Sequence, residues 1–320
     1  MTTTPTTQPS TTTVSTTLKV NQTAKRLDRL AKNVIFSISL VSISIILLIL
    51  IFTFKEAQDV FFDAHVREEV LPTLFGTNWQ PVSDSPKYGI IPLLIGTLKT
   101  TLIAMVIAVP IGILSALYSV MFAPKWTKEV LKPAVELVAG LPSVVIGFFA
   151  LVVLSGWLQA LTGSPFRLNA LVGGVAISLT AIPIIFTISE EALSAVPQSM
   201  KEASYALGAT EWETAFYVVL PAAYPGIFVG VLLGLGRAFG ETLIVLMATG
   251  NAAITSWSVL DSTRTLTATI GAEIAEVVFG DPHYNVLFLI GTFLFIFSMI
   301  LNIIAEFYVK AKLLKKFRGG

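Results

Sequence analysis

The sequence predicts an all-α membrane protein with six transmembrane helices, and three observations carry that reading. Hydrophobic residues fill 54% of the 320 positions and 22 glycines add to them, against about 45–50% for the two classes together in a soluble domain. Charged residues supply only 13%, about half the usual share, and the mean hydropathy is +0.79. The apolar residues also gather into runs of about 20, the length that crosses a bilayer as helix. A net charge of +1 argues against a nucleic-acid binder. The absence of cysteine excludes disulfides and thiolate metal sites but leaves the compartment open.

The elements follow in order. Residues 2–17 hold ten Thr among Ser, Pro and Gln, with almost nothing to bury, so a disordered tail is expected. With the basic stretch Lys19, Lys25, Arg26, Arg29 and Lys32 it forms a cytoplasmic segment over 1–33. An unbroken apolar run at 34–54 is longer than a signal-peptide core and lacks a small-x-small cleavage site; it reads as a retained first transmembrane helix. The segment 55–92 reads as an extracytoplasmic loop with a turn at Pro81-Val82-Ser83-Asp84-Ser85-Pro86. A five-helix core over 93–309 follows, with spans near 93–122, 134–160, 170–189, 224–248 and 285–309, then a basic cytoplasmic tail at 310–320. Several spans exceed the upright length, which implies tilt or an interfacial end.

The cations set the orientation. Fourteen Lys and Arg fall on the side of the termini and five on the other, with Lys99 and Arg237 inside spans, so both termini are expected in the cytoplasm. A second outward loop, 251–284, carries a helical pattern from Thr265 to Phe279 and ends at Gly280-Asp281-Pro282. Two readings of the outward loops stand: docking surfaces for an external partner, or solvated connectors.

The loop at 190–223 carries the most information. Pro197 suits a helix start and Gly208 its end, which puts Met200, Ala203, Ser204 and Leu207 on one narrow, mostly small-residue stripe. Thr210-Glu211-Trp212-Glu213 is a capping box opening a second helix, with Pro221 expected to end it. Such a pair fits a groove on another protein, or is an amphipathic connector on the membrane surface.

Glu202-Ala203-Ser204, then Gly208, then Val218-Val219-Leu220-Pro221 resembles the EAA loop of ABC-importer permeases, with Ser204 and Val218 as small departures from that pattern. Gly96-Thr97-Leu98 to Ala108-Val109-Pro110-Ile111-Gly112, the stretch Lys132 to Val145, and Gly234-Leu235-Gly236-Arg237-Ala238-Phe239-Gly240-Glu241-Thr242 with Met247-Ala248-Thr249-Gly250-Asn251 resemble the PstC-type permeases of the phosphate ABC importer. The resemblance covers about residues 70–310 and implies a type I ABC-importer permease architecture. It implies that Glu202, Ala203, Ser204, Leu207, Gly208, Leu220 and Pro221 meet a cytoplasmic ATPase. It implies further partners: a homologous PstA-type permease, two ATPase subunits, an extracytoplasmic phosphate-binding protein, and membrane lipid. No G-x-x-x-x-G-K-[ST] occurs in the chain, so this chain is not expected to be an enzyme or to bind a cofactor, and ATP and Mg belong to the partner ATPase.

Arg237 and Glu241 are expected deep in the fifth span, where each unpaired charge costs about 2.5–3.5 kcal/mol on insertion scales. Their i, i+4 spacing places them on one helix face. Gly226, Gly230 and Gly234, with Gly236 and Gly240, give small-xxx-small spacing that admits a close neighbour, so this helix is expected at a subunit interface lining a polar path. With phosphate as the implied substrate, Arg237 offers a planar fork of donors, Glu241 holds it, and Thr242 adds a hydroxyl. The other reading is an Arg–Glu pair that only locks helices together. Lys99 is expected to snorkel to the headgroups as an anchor, Glu136 to be interfacial, and no metal site is expected at His65 or His283. Pro110, Pro142 and Pro183 are expected to interrupt spans, as gating kinks or as tolerated prolines. The implied function is a permease for inorganic phosphate in the cytoplasmic membrane. Alternatives are another oxyanion (sulfate, molybdate or a phosphonate), an ion-coupled secondary transporter, or a non-transporting sensor.

Overall fold

The computed structural model describes residues 22–318, with side-chain surroundings for 27–307. The Thr-rich tail and the side chains of the basic C-terminal tail lie outside the described residues. Among those described, six helices are long and apolar enough to cross a membrane.

Helix α1, Gln22–Phe62, runs past both ends of the apolar stretch. The chain through Ile51 forms one unit and residues from Phe52 onward a second. In the second unit, α2 (Ala64–Leu74) starts at Asp63, whose carboxylate accepts the amide protons of His65 and Val66 at 2.9 and 3.1 Å. Strands β1 (Trp79–Gln80) and β2 (Lys87–Tyr88) pair antiparallel around the expected turn at 81–86. The segment 55–92 is thus helix and hairpin rather than open loop. Then come α3 (Ile91–Met121) and α4 (Lys125–Ala139). Helix α5 (Ser143–Phe149) passes through a π-helical turn at Ala150–Leu154 into α6 (Ser155–Thr162). Helices α7 (Ala170–Ser194) and α8 (Gln198–Ala206) follow. Helix α9 (Glu211–Thr214) passes through a second π turn, Ala215–Val219, into α10 (Leu220–Phe239). Last are α11 (Leu243–Ala248), α12 (Leu266–Glu273) and α13 (Pro282–Arg318).

Helix α7 is the centre of the second unit, and 61% of its most apolar stretch is buried. Its Gly174 lies against Ile103 and Thr100 of α3, while Gly112 of α3 lies against Ile185 of α7. On its other flank α7 meets α10, where Gly226, Gly230 and Gly234 face Ala192, Ile188 and Ile185. The small-residue stripe of α10 is therefore filled by α7 of the same chain and not by another subunit. A Cβ at Gly234 would come within 2.6 Å of the Ile185 side chain, so this packing excludes any larger residue unless a helix moves. Phe239 stacks on Phe297 of α13 with ring centroids 4.0 Å apart, closing the third side of α10.

Four local expectations change. The third span begins at Ser143, because Gly140 and Leu141 break the chain before Pro142, which opens α5; residues 134–139 belong to the amphipathic α4, which buries no residue fully. The fifth span runs from Glu211 to Phe239, and 243–248 is a separate short helix. Pro221 does not end a helix: the Leu220 amide bonds the Ala215 carbonyl five residues back, and the proline follows at the start of α10, where its missing N–H costs little. Pro110 and Pro183 sit inside continuous helices.

Candidate functional site

The intramembrane pair is built on a helix break. Helix α10 ends at Phe239, Gly240 caps it with φ −87° and ψ 1°, and α11 resumes only after Thr242. Glu241 therefore lies between two helices rather than within one span, yet the expected pairing holds. An Nη of Arg237 stands 3.4 Å from Oε2 of Glu241. The two side chains differ sharply in exposure, 45% for Arg237 and 3% for Glu241. The acid is the fixed inner partner, and the guanidinium reaches the open surface of the chain with donors to spare. Glu241 Oε2 has no hydrogen-bond partner, so its charge is balanced by Arg237 through space. Thr242 has its hydroxyl 3.4 Å from the Gly240 carbonyl, a weak bond. Its methyl packs toward Gly271 of α12.

Around this break lies a hydrogen-bonded network that the sequence did not reveal. Lys99 does not snorkel. It is 3% exposed, and its ammonium donates to the carbonyls of Ser256 and Ser258 at 2.9 Å each. The same loop is tied down by Ser256 Oγ on Asp261, by Ser262 Oγ on the Leu168 carbonyl at 2.7 Å, and by the Ala170 and Leu171 amides on the Asp261 and Val259 carbonyls. A burying loop with its own carbonyls unpaired would be costly; Lys99 supplies the donors. The loop turns at Gly250 and Asn251, with φ of 80° and 52°. Gly250 has Ser262 Oγ 2.6 Å from where a Cβ would stand, so glycine is required there on both counts.

At the end of α12, Glu273 gathers three partners from three elements. Arg264 pairs with one oxygen, His283 Nε2 stands 2.9 Å from the other, and the Trp79 indole donates to both at 3.2 Å. Burial pushes the Glu273 carboxyl up, but His283, the Arg264 charge and Trp79 outweigh it and hold the group below its ordinary value. Beside it, burial and the bond to Glu69 (2.8 Å) push the Tyr88 hydroxyl well up. The partners of Glu273 lie up to 194 positions away in the chain, beyond any periodicity. The local signal was Thr265, which caps α12 through the Ala268 amide.

On the opposite face, α8 and α9 take up the expected pair of short helices. Pro197 precedes α8, and Gly208 ends it at φ 85°, with open space where a side chain would stand. The capping box is complete: Thr210 accepts from the Glu213 amide while Glu213 accepts from the Thr210 amide at 2.8 Å. Ser204 turns inward to Thr214, with hydroxyls 2.9 Å apart, and this bond fixes α8 to α9. Glu202, Ala203 and Gly208 are exposed, and Leu207 is 89% exposed. Leu220 is half-buried and Pro221 exposed, one helix away on α10. The expected stripe thus divides: Ser204 belongs to the chain's own packing, and Met200, Ala203 and Leu207 form the outer surface. Glu136 is exposed on α4.

This arrangement is the fold of ABC-transporter membrane chains. It superposes on a bacterial alginate ABC transporter solved with its pentasaccharide-bound periplasmic protein, with TM-score 0.58, 16% identity, and 87% of this chain and 94% of that one covered. On the MetNI methionine ABC transporter in an inward-facing conformation the TM-score is 0.52, at 21% identity over 70% of this chain and 94% of that one. The chain belongs to the family of binding-protein-dependent transport system inner membrane components, whose model matches residues 108–313, and within it to the PstC-type permeases. It is 37% identical to the probable ABC transporter permease protein YqgH of Bacillus subtilis, over 73% of this chain and 76% of that one. It is 34% identical to the phosphate transport system permease protein PstC of Xylella fastidiosa, over 72% and 76%, and 33% identical to that of Mesorhizobium japonicum, over 73% and 76%.

Proposed function

We propose that this chain is a permease subunit of an ATP-driven importer of inorganic phosphate. The observation that carries the reading is the Arg237–Glu241 pair, with a buried acid behind and a half-exposed guanidinium in front, in a chain related at 33–34% identity to phosphate permeases. A guanidinium offers phosphate a planar set of donors. Glu241, already balanced by Arg237, keeps the positive potential low enough that the anion is passed on rather than trapped. The Thr242 hydroxyl, weakly engaged, is a further donor on the route.

The cation bias supports an orientation with both termini and the α8–α9 pair in the cytoplasm and with α2, the β hairpin and α12 outside. The exposed surface of Met200, Ala203 and Leu207 docks into one of two separate ATPase subunits, which bind ATP and Mg. The path is completed by a homologous PstA-type permease chain, and phosphate arrives on an extracytoplasmic binding protein. ATP-driven closure of the two ATPases moves α8 and, through Ser204–Thr214 and the continuous helix from Glu211 to Phe239, reaches the Arg237 end of α10.

The test is uptake of radiolabelled phosphate into proteoliposomes that hold the whole complex, with loaded binding protein outside and ATP inside. Wild type imports phosphate only with ATP. Arg237→Gln leaves assembly intact and loses uptake, and Gly208→Trp loses ATP coupling. Unchanged uptake in an assembled Arg237→Gln complex overturns the path role; import of another oxyanion but not phosphate overturns the substrate.

A further inference from the structure

Glu241 is held by a residue outside its own helices. In the break at 240–242 its carbonyl lacks a helical donor, and the buried Thr267 hydroxyl of α12 donates to it at 2.7 Å. The Glu241 carbonyl can only accept, so the Thr267 proton goes to it, and in the 3.1 Å contact with Thr265, which caps the same helix, Thr265 is then the donor. Four residues on, Gly271 faces the Thr242 side chain, whose Cγ2 is 2.8 Å from where a Cβ would stand. Positions i and i+4 share a helix face, so one face of α12 meets Glu241 and Thr242 of the break. Its other end is Glu273, bonded to Arg264, His283 and Trp79. Glu273 and His283 also line an open groove of about 860 Å³, together with Glu69, Glu276 and Asp281.

From this we infer that α12 is a rigid link between the outward network and the intramembrane pair, with Thr267 as the positioning residue that sets where Glu241, and through it Arg237, stands. A displacement of Glu273 at the groove is carried by α12 over the six residues to Thr267, about 9 Å, to the break. Loading at the outer face and the state of the ion pair are then coupled through one hydrogen bond and one close contact. The inference rests on the transport reading above for its function, though not for its geometry.

Two measurements separate them. Because this chain has no cysteine, a nitroxide at Leu243→Cys reports the mobility of the break in the assembled complex whatever the substrate. Thr267→Val should narrow its spectrum, and Thr267→Ser should restore the wild-type line shape. In the proteoliposome assay, Thr267→Val should lower the maximal uptake rate about tenfold, the scale of one lost hydrogen bond. The half-saturating concentration of loaded binding protein should stay within about twofold. Gly271→Ala, which keeps the hydroxyl but presses on Thr242, should also lower the maximal rate. Glu273→Gln should cost less in the Thr267→Val background than in wild type, because the link is already cut. An unchanged nitroxide spectrum in Thr267→Val overturns the inference. So does failure of Ser to rescue, a rise in half-saturation at constant maximal rate, or full additivity with Glu273→Gln. A wild-type complex that does not import phosphate, with the spectral changes as expected, overturns the transport reading alone.

Discussion

The two ends of the bundle differ in how far the chain satisfies itself. At the α12 end, buried and half-buried polar side chains are paired over long distances in the sequence: Lys99 with the 256–258 loop, Glu273 with Trp79, Arg264 and His283. At the α8 end the bonds are local, Ser204 to Thr214 and Thr210 to Glu213, and the outer surface offers a nearly naked Leu207. Both ends leave apolar residues exposed, Leu207 at one and Val82 and Phe279 at the other, so the contrast lies in the range of the bonds: pairing across distant segments sets shape, and local pairing ties the α8–α9 surface only to itself. Mutations at the first end should therefore act on stability as well as on transport, and those at the second on transport with stability unchanged.

The largest effect is expected for Glu273→Ala. It strands a half-buried guanidinium, an imidazole and an indole donor at once, so a loss of about 2–4 kcal/mol is expected, read as a lower unfolding midpoint of the purified complex. Next comes Lys99→Met, which leaves the Ser256 and Ser258 carbonyls without their donor. A cost of about 1–3 kcal/mol and new protease sensitivity between 250 and 262 are expected; a loop as resistant as wild type would break the claim that Lys99 holds it. The same comparison sharpens with pH. The Glu273 carboxyl titrates below its ordinary value in the folded chain, so its stabilising contribution is present above the unfolded-state value. It is lost as pH falls through the depressed folded value. A midpoint that declines in acid for wild type, and less steeply for Glu273→Gln, is the expected result. The smallest effect on stability belongs to Leu207→Asp, within about 0.5 kcal/mol, although ATP-driven uptake should be lost. A large fall in its midpoint would place Leu207 in the chain's own core and blur the contrast.

What was legible followed from local chemistry. The capping box at Thr210–Glu213 and the turns at Gly208 and 81–86 need only neighbouring residues, and each stands where the sequence put it. The pairing of Arg237 with Glu241 was also legible from spacing. The break that separates them was not, because the carbonyl it frees at Glu241 is met by the Thr267 hydroxyl of α12, 26 positions away in the chain. Lys99 read as a surface anchor because a lysine near a helix end is ordinarily free to reach water; the loop from 251 to 262 folds over it and turns it into a donor.

By itself the sequence determined the class, the number of spans and the family motifs. Apolar run length against bilayer thickness, cap residues and turn residues act over a few positions, and they survive without any knowledge of neighbours. Only the tertiary structure decided what each special residue faces. The glycine stripe of α10 is a groove for this chain's own α7, Lys99 is a buried strut, and Glu273 is the meeting point of three elements. Side chains say how they can pair, while the identity of the partner depends on which helices the fold brings within 3 Å of them.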